Sequence, residues 1–245
     1  MPAISEHRIS NGSLSLQVLS SISDRSNATA IAIVPGLAET AEDWRTLIGS
    51  LAPLAAAALT LRGRGTSSRP VTGLSLADHC SDIAAFVEHL PAKTVVLVAF
   101  SRSVAYALEY AIGQPSKLAG LVLLDYPPRH TALPPGWAEA FAQSAWRGRR
   151  ADDVINSFTL KAIESEAVAK DFKPLLSSIL VPTLVVRGVQ SGAALSIADA
   201  EAYQRNLRDC TLVEFADSAH ALWEPEPQAL SSVIAEFAAR IKGET

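Results

Sequence analysis

Residues 94–112 read TVVLVAFSRSVAYALEYAI. The opening six, Thr94 to Ala99, form an apolar, β-branched run of strand length and predict a buried strand. Arg102 to Ile112 follows at once and predicts a helix. Between them, Ala99-Phe100-Ser101-Arg102-Ser103 leaves no residues for a loop. Ser101 is therefore expected on a tight strand-to-helix turn, with its side chain at the carboxyl edge of a sheet. The N–H groups that open the helix face the same space and favour a developing negative charge there. That is the setting of a nucleophile elbow. The competing reading makes Ser101 a helix N-cap, an ordinary role for serine at such a junction.

Outward from this turn, short apolar runs alternate with helical spacings. Upstream, Ser13 to Ser20 alternates apolar and polar residues and predicts a half-exposed strand. Thr29 to Val34 predicts a buried strand ending at Pro35-Gly36. Trp44, Leu47, Ile48 and Leu51 have helical spacing within Ala41 to Leu51. Ala57 to Leu61 predicts a strand closed by Arg62-Gly63-Arg64-Gly65. Ser75 is the expected N-cap of a helix whose stripe is Leu76, Cys80, Ile83, Phe86, Val87 and Leu90. Downstream come a strand at Leu118 to Leu124, a strand at Val181 to Val186, a helix at Ile197 to Leu207, a strand at Leu212 to Phe215 and a helix at Pro227 to Ile241. Strands alternating with helices imply a mostly parallel sheet flanked by helices, an α/β fold. Tyr126 to Ser178 breaks that rhythm with an irregular helical stretch. The expected organisation is a core of residues 1–126 and 179–245, with a small helical cap at 127–178 inserted after the sixth strand.

Composition bounds the function. Hydrophobic residues make up 49% of the 245 and charged residues 19%, which excludes a disordered chain. The net charge of -4 carries no basic excess, so no nucleic-acid partner is implied. Met1 to Ser10 is polar, and runs such as Ala55 to Leu59 are too short to span a bilayer, so no leader and no membrane partner are expected. Cys80 and Cys210 make neither a disulfide framework nor a metal cluster and fit a reducing cytoplasm. No phosphate-cradling Gly-Lys-Ser loop and no paired-His zinc motif occurs, so neither cofactor nor metal is implied.

Four segments in order carry a resemblance. Val34-Pro35-Gly36-Leu37 followed by Trp44 resembles the oxyanion segment of the α/β-hydrolase superfamily. Arg62-Gly63-Arg64-Gly65-Thr66-Ser67 resembles its Arg-Gly-x-Gly-x-Ser turn, and Ala99 to Ser103 its Gly-x-Ser-x-Gly elbow. Ala219-His220 through Glu224-Pro225 resembles its histidine segment before the last helix. The chain departs from the pattern too. Ala99 and Ser103 replace both elbow glycines, which implies some strain in the turn. Pro35 stands where the family usually has a histidine.

The resemblance implies Ser101 as nucleophile and His220 as its base. Of the other histidines, His7 is expected on the surface before the first strand. His79 and His89 are expected on the solvent side of one helix, and His130 opens the insertion, where it could line a pocket mouth. The family's usual acid position falls at Gly192, so that acid is missing. Asp125, at the end of the strand Leu118 to Leu124, is the replacement favoured here, because some members place their acid at this strand end. A loop cap at Asp125, an acid at Asp217, and a Ser101–His220 dyad stay open. The resemblance also assigns the backbone N–H groups of Leu37 and Arg102 as oxyanion donors. Arg62 and Arg64 read as structural turn arginines.

A serine nucleophile favours acyl chemistry on a small ester, thioester or lactone. Trp137, Phe141 and Trp146, with Phe158 and Leu160, give the insertion an apolar character, so the partner expected is a small hydrophobic molecule. A homodimer stays open. A lyase or cyclase on the same fold, and a non-catalytic small-molecule receptor, are the competing classes.

Overall fold

The computed structural model describes residues 3–22 and 29–243; Met1 and Pro2 of the polar amino-terminal stretch lie outside them. Eight strands form one sheet: β1 (Ser5–Asn11), β2 (Leu14–Ser20), β3 (Thr29–Val34), β4 (Ala56–Leu59), β5 (Thr94–Phe100), β6 (Leu118–Leu124), β7 (Thr183–Gly188) and β8 (Cys210–Phe215). Their spatial order is β1-β2-β4-β3-β5-β6-β7-β8. The pairs β1/β2 and β2/β4 are antiparallel, and the remaining pairs are parallel.

The apolar run Thr94–Phe100 forms β5, in the interior of this sheet between β3 and β6. Side chains alternate across a strand, so β5 feeds both faces. Val95, Leu97 and Ala99 join one core with α2 (Leu76–His89), α3 (Ser103–Ile112) and α6 (Ile197–Asn206). Val96, Val98 and Phe100 join the other with α1 (Arg45–Ser50) and α7 (Pro227–Gly243). All six are essentially inaccessible to water. Each large aliphatic among them contributes about 2 kcal/mol of burial, so the turn at Ser101 hangs from a strand anchored on both faces.

Local signals explain the element ends. Ser75 caps α2 by accepting from the N–H of Asp78. Ser196 does the same for α6 with Asp199. Ala41 to Leu51 is not one helix: a 3-10 turn at Ala41–Trp44 precedes α1. The first strand was not read from the sequence. His7 lies inside β1 rather than before the first strand, half-buried and stacked on His89 at 5.6 Å.

Between β6 and β7 the chain forms α4 (Trp137–Ala142), α5 (Ser157–Glu166) and short two-residue strand pairs. Ala138, Ala142, Val154, Ile155, Leu160 and Ile163 share a separate small core with Leu37 and Leu74. Phe158, expected to add apolar lining, is 78% exposed instead. It sits beside Asn156, which caps α5, on a turn that faces water.

The parallel registers bring five carboxyl ends to one edge. Val34 pairs Ala99, Phe100 pairs Leu124, Leu124 pairs Val186 and Gly188 pairs Phe215. The segments that follow these residues therefore meet over the end of the sheet.

Candidate active site

Ser101 follows β5 directly and has φ of 55°, the left-handed region that a Cβ makes costly. Three hydrogen bonds hold it there. Its N–H donates to the Leu124 carbonyl at 3.1 Å, and its carbonyl accepts from Val104 at 2.9 Å. The hydroxyl of Ser103 donates to the Pro35 carbonyl at 2.5 Å. Ser103, where the family pattern has glycine, thus ties the start of α3 to the segment after β3.

His220 lies in the loop after β8, with its ring against Phe100 at 4.7 Å and Trp146 at 5.6 Å between centroids. Its Nε2 is 2.9 Å from Ser101 Oγ. Its Nδ1 is 2.8 Å from Asp125 Oδ2. An ionised carboxylate only accepts, so Nδ1 carries the proton and Nε2 keeps its lone pair for the serine. Gly188 permits this approach: a Cβ there would meet the Ala219 carbonyl oxygen at 2.1 Å.

Asp125 is fully buried, also at positive φ, and heavily solvated by backbone. Its Oδ1 accepts from Gly188 at 3.2 Å and Leu195 at 3.3 Å, and its Oδ2 accepts from Ala194 at 2.7 Å. Those donors belong to the last residue of β7 and the loop that follows it, the loop in which the family's acid usually stands and this chain has Gly192. The loop supplies N–H groups in place of a side chain, which balances the buried charge. Asp217 is exposed and does not reach His220.

A cavity of about 320 Å³ opens over Ser101. Leu37, Arg102, Trp137, Phe141, Trp146 and His220 all line it. Among the described residues, no protein acceptor takes the N–H of Leu37 or of Arg102. Arg64 Nε donates to the Leu37 carbonyl at 3.3 Å. Arg62 forms a buried ion pair with Asp82 at 2.7 Å, so both arginines belong to the turn's scaffold.

Two histidines differ from expectation. His79 is completely buried, not solvent-facing, because the Arg64 guanidinium reaches its Nε2 at 2.6 Å and Tyr106 stacks on its ring at 4.4 Å. Burial, then Arg64, holds it well below its ordinary pKa. His130 does not line the cavity; it is buried behind the wall, where Arg102 Nη2 reaches its Nε2 at 2.8 Å. Burial first and Arg102 second push it down to about 4.

Sequence reasoning missed Glu39. Its buried carboxylate accepts from Gly36 N–H at 2.8 Å, Trp44 Nε1 at 2.9 Å, Trp146 Nε1 at 2.8 Å and Arg147 Nε at 2.6 Å. It joins the segment after β3 to the Trp146–Arg147 turn, and Arg147 lies 3.6 Å over the Trp223 ring. Trp146 and Arg147 come over 100 positions later, so no local pattern marks Glu39.

Residues 29–194 match the family model for the α/β hydrolase fold, and the chain belongs to that family. It is 25% identical over 211 residues to the AB hydrolase superfamily protein YisY of Bacillus subtilis (strain 168), covering 72% of this chain and 78% of that one. Among solved structures it is similar to the esterase RhEst1 from Rhodococcus sp. ECU1013, with a TM-score of 0.78, 16% identity, and 98% and 100% of the two chains covered. It is also similar to the esterase EaEST from Exiguobacterium antarcticum, at a TM-score of 0.77, 18% identity, and 95% and 98% coverage. Both structural likenesses carry the fold. No helix among the described residues is long and apolar enough to cross a membrane.

Proposed function

We propose that this protein is a serine hydrolase that cleaves a small ester, thioester or lactone through an acyl-enzyme on Ser101. The observation that carries the reading is the unbroken chain Ser101 Oγ, His220, Asp125, with links of 2.9 and 2.8 Å. It favours hydrolysis over a receptor role, because a binding pocket alone has no use for an oriented base.

In this reaction Ser101 Oγ attacks the acyl carbon while His220 Nε2 takes its proton. The carbonyl oxygen becomes an oxyanion, received by the N–H groups of Leu37 and Arg102. His220 returns the proton to the leaving oxygen or sulfur as the bond to it breaks. Water then attacks the acyl-enzyme, again losing its proton to His220, and Ser101 Oγ leaves with that proton. Asp125 holds the tautomer and stabilises the imidazolium without taking the proton. Residues 127–178 act as the cap, with Trp137, Phe141 and Trp146 bounding the acyl site. The unpaired thiols of Cys80 and Cys210 support a cytoplasmic setting.

The test is hydrolysis of a short p-nitrophenyl ester by wild type, Ser101→Ala and His220→Ala, with intact-mass measurement after a fluorophosphonate. Turnover lost by at least about 10³ in both variants, and one adduct per chain absent in Ser101→Ala, is the expected result. A wild-type protein that neither turns over nor labels overturns the assignment.

A further inference from the structure

The lining of the cavity has an uneven charge. It includes no aspartate and no glutamate, and its one permanently charged residue is Arg102. That residue is 4% exposed. Its guanidinium donates from Nη1 to Thr131 Oγ1 at 3.0 Å, and from Nη2 to the Thr131 carbonyl at 3.0 Å and to His130 Nε2 at 2.8 Å. Its Nε is buried and has no acceptor. Every partner is neutral: burial first, and this guanidinium second, disfavour the charged form of His130.

The other buried arginines sharpen the contrast. Arg62 pairs with Asp82 at 2.7 Å and Arg187 with Glu214 at 2.6 Å. Even the half-buried Arg147 and Arg149, which brace the neighbouring turn, pair with Glu39 and Asp43. Among the described residues Arg102 has no carboxylate partner. Arg64, close enough to repel it, has none of its own either, since Asp82 is taken by Arg62. A cation removed from water without a counter-ion is costly by several kcal/mol, and Arg102, unlike Arg64, lies in the lining of the cavity, where a ligand can supply the missing negative charge.

Thr131 shows how completion works. It lines the cavity, and its hydroxyl oxygen accepts from Arg102. That contact leaves the Thr131 O–H as a donor, polarised by a positive charge behind it. Ser101, Arg102 and Thr131 line one cavity of about 320 Å³, so an anion held by the latter two shares the space over the serine. Trp137, Phe141 and Leu133 supply apolar surface for the intervening methylenes.

We propose that the acyl chain of the substrate ends in a carboxylate, bound by the Thr131 hydroxyl and the Arg102 guanidinium, so that the substrate class is the half-ester of a short dicarboxylic acid. This rests on the serine-hydrolase reading for the cleaved bond, and it narrows the expected small hydrophobic ligand to one with an anionic end. Arg102 and Thr131 are then the specificity-determining residues of the site.

The test compares monoethyl succinate with ethyl butyrate, which differ by a terminal carboxylate in place of a methyl. Binding is measured by calorimetry on Ser101→Ala, and hydrolysis on wild type by base uptake at constant pH. The expected result is at least tenfold tighter binding of monoethyl succinate. That ratio should collapse to near one when Arg102→Met is added and fall severalfold with Thr131→Val. Arg102→Lys should restore part of it. Circular dichroism identifies a variant that does not fold, in which case Thr131→Val decides. Equal binding of the two esters by Ser101→Ala, or a preference untouched by Thr131→Val and Arg102→Met, overturns the proposal. The two readings fail separately. Turnover without the preference removes the anion site alone; the preference without turnover removes the hydrolase and leaves the anion site standing.

Discussion

Asp125 Oδ2 lies 2.8 Å from His220 Nδ1, although 95 positions separate them and β7 runs between their strands in the sheet. The contact works because β6, β7 and β8 end together and Gly188 lets the histidine loop lie against the β7 end. In the proposed mechanism this pair sets the tautomer. Asp125→Asn should lower kcat on a short ester by about 10³–10⁴ with KM nearly unchanged. Steady-state kinetics check it, and a kcat within tenfold of wild type would mean that Ser101 and His220 act as a dyad.

The left-handed turn at Ser101 makes a stability prediction independent of substrate. Ser101→Ala and Ser101→Gly both lose the hydroxyl, but only alanine keeps a Cβ at φ of 55°. Glycine should therefore be the more stable of the two by about 1 kcal/mol, read from denaturant midpoints. An alanine variant as stable as the glycine one would show that the turn holds no strain.

Glu39 joins the segment after β3 to the Trp146–Arg147 turn. Glu39→Gln leaves Arg147 beside a neutral group and removes one acceptor oxygen's charge. Gln keeps one acceptor oxygen and puts an NH2 donor in place of the other, so either Trp44, which donates to Oε2, or Trp146, which donates to Oε1, loses its acceptor. Stability should fall by about 2 kcal/mol, and near-ultraviolet circular dichroism should change as one of the two indoles is released. An unaltered tryptophan signal would separate the indoles from the carboxylate.

His130 gives a pH dependence with a definite sign. In the unfolded chain it takes a proton below about 6.5, whereas in the fold burial and Arg102 hold it to about 4. Between those values the unfolded state binds more protons, so acid favours unfolding. The contribution is complete above about pH 6.5 and is lost as pH falls through about 4, by up to about 3 kcal/mol. His79 shifts the same way and adds to it. Unfolding midpoints measured from pH 7 to 4.5 should fall less steeply in His130→Gln than in wild type; parallel curves would assign the acid sensitivity elsewhere.

The sequence made the central strands legible because both faces of β3, β5 and β6 are buried, and such strands read as continuous apolar runs. β6 has the bounds its apolar run implied, Leu118–Leu124. β1 was invisible for the opposite reason. SEHRISN is an edge strand with only Ile9 fully buried, so it carries no hydrophobic run. Ser101 could be nominated from its tight strand-to-helix turn, and His220 and Asp125 because the ordered motifs resemble the family's pattern, in which the base and, in some members, the acid stand at those places. His79 and Glu39 could not, since each is buried by partners from distant turns: Arg64 for one, Trp146 and Arg147 for the other. Hydrophobic patterning has no term for a polar residue whose burial depends on where a remote guanidinium goes.

The Gly188–Leu195 loop touches Asp125 only through the N–H groups of residues 188, 194 and 195. Val189, Gln190, Ser191 and Gly192 face solvent. A loop that contributes amides rather than a side chain can change an exposed residue such as Ser191 without altering the hydrogen bonds to the carboxylate, whereas Gly192, at φ of 96°, holds a backbone conformation that other residues rarely adopt. Ser191 is thus a ready attachment point for a cysteine-linked fluorophore, carried by the same loop whose Ala194 amide donates to Asp125.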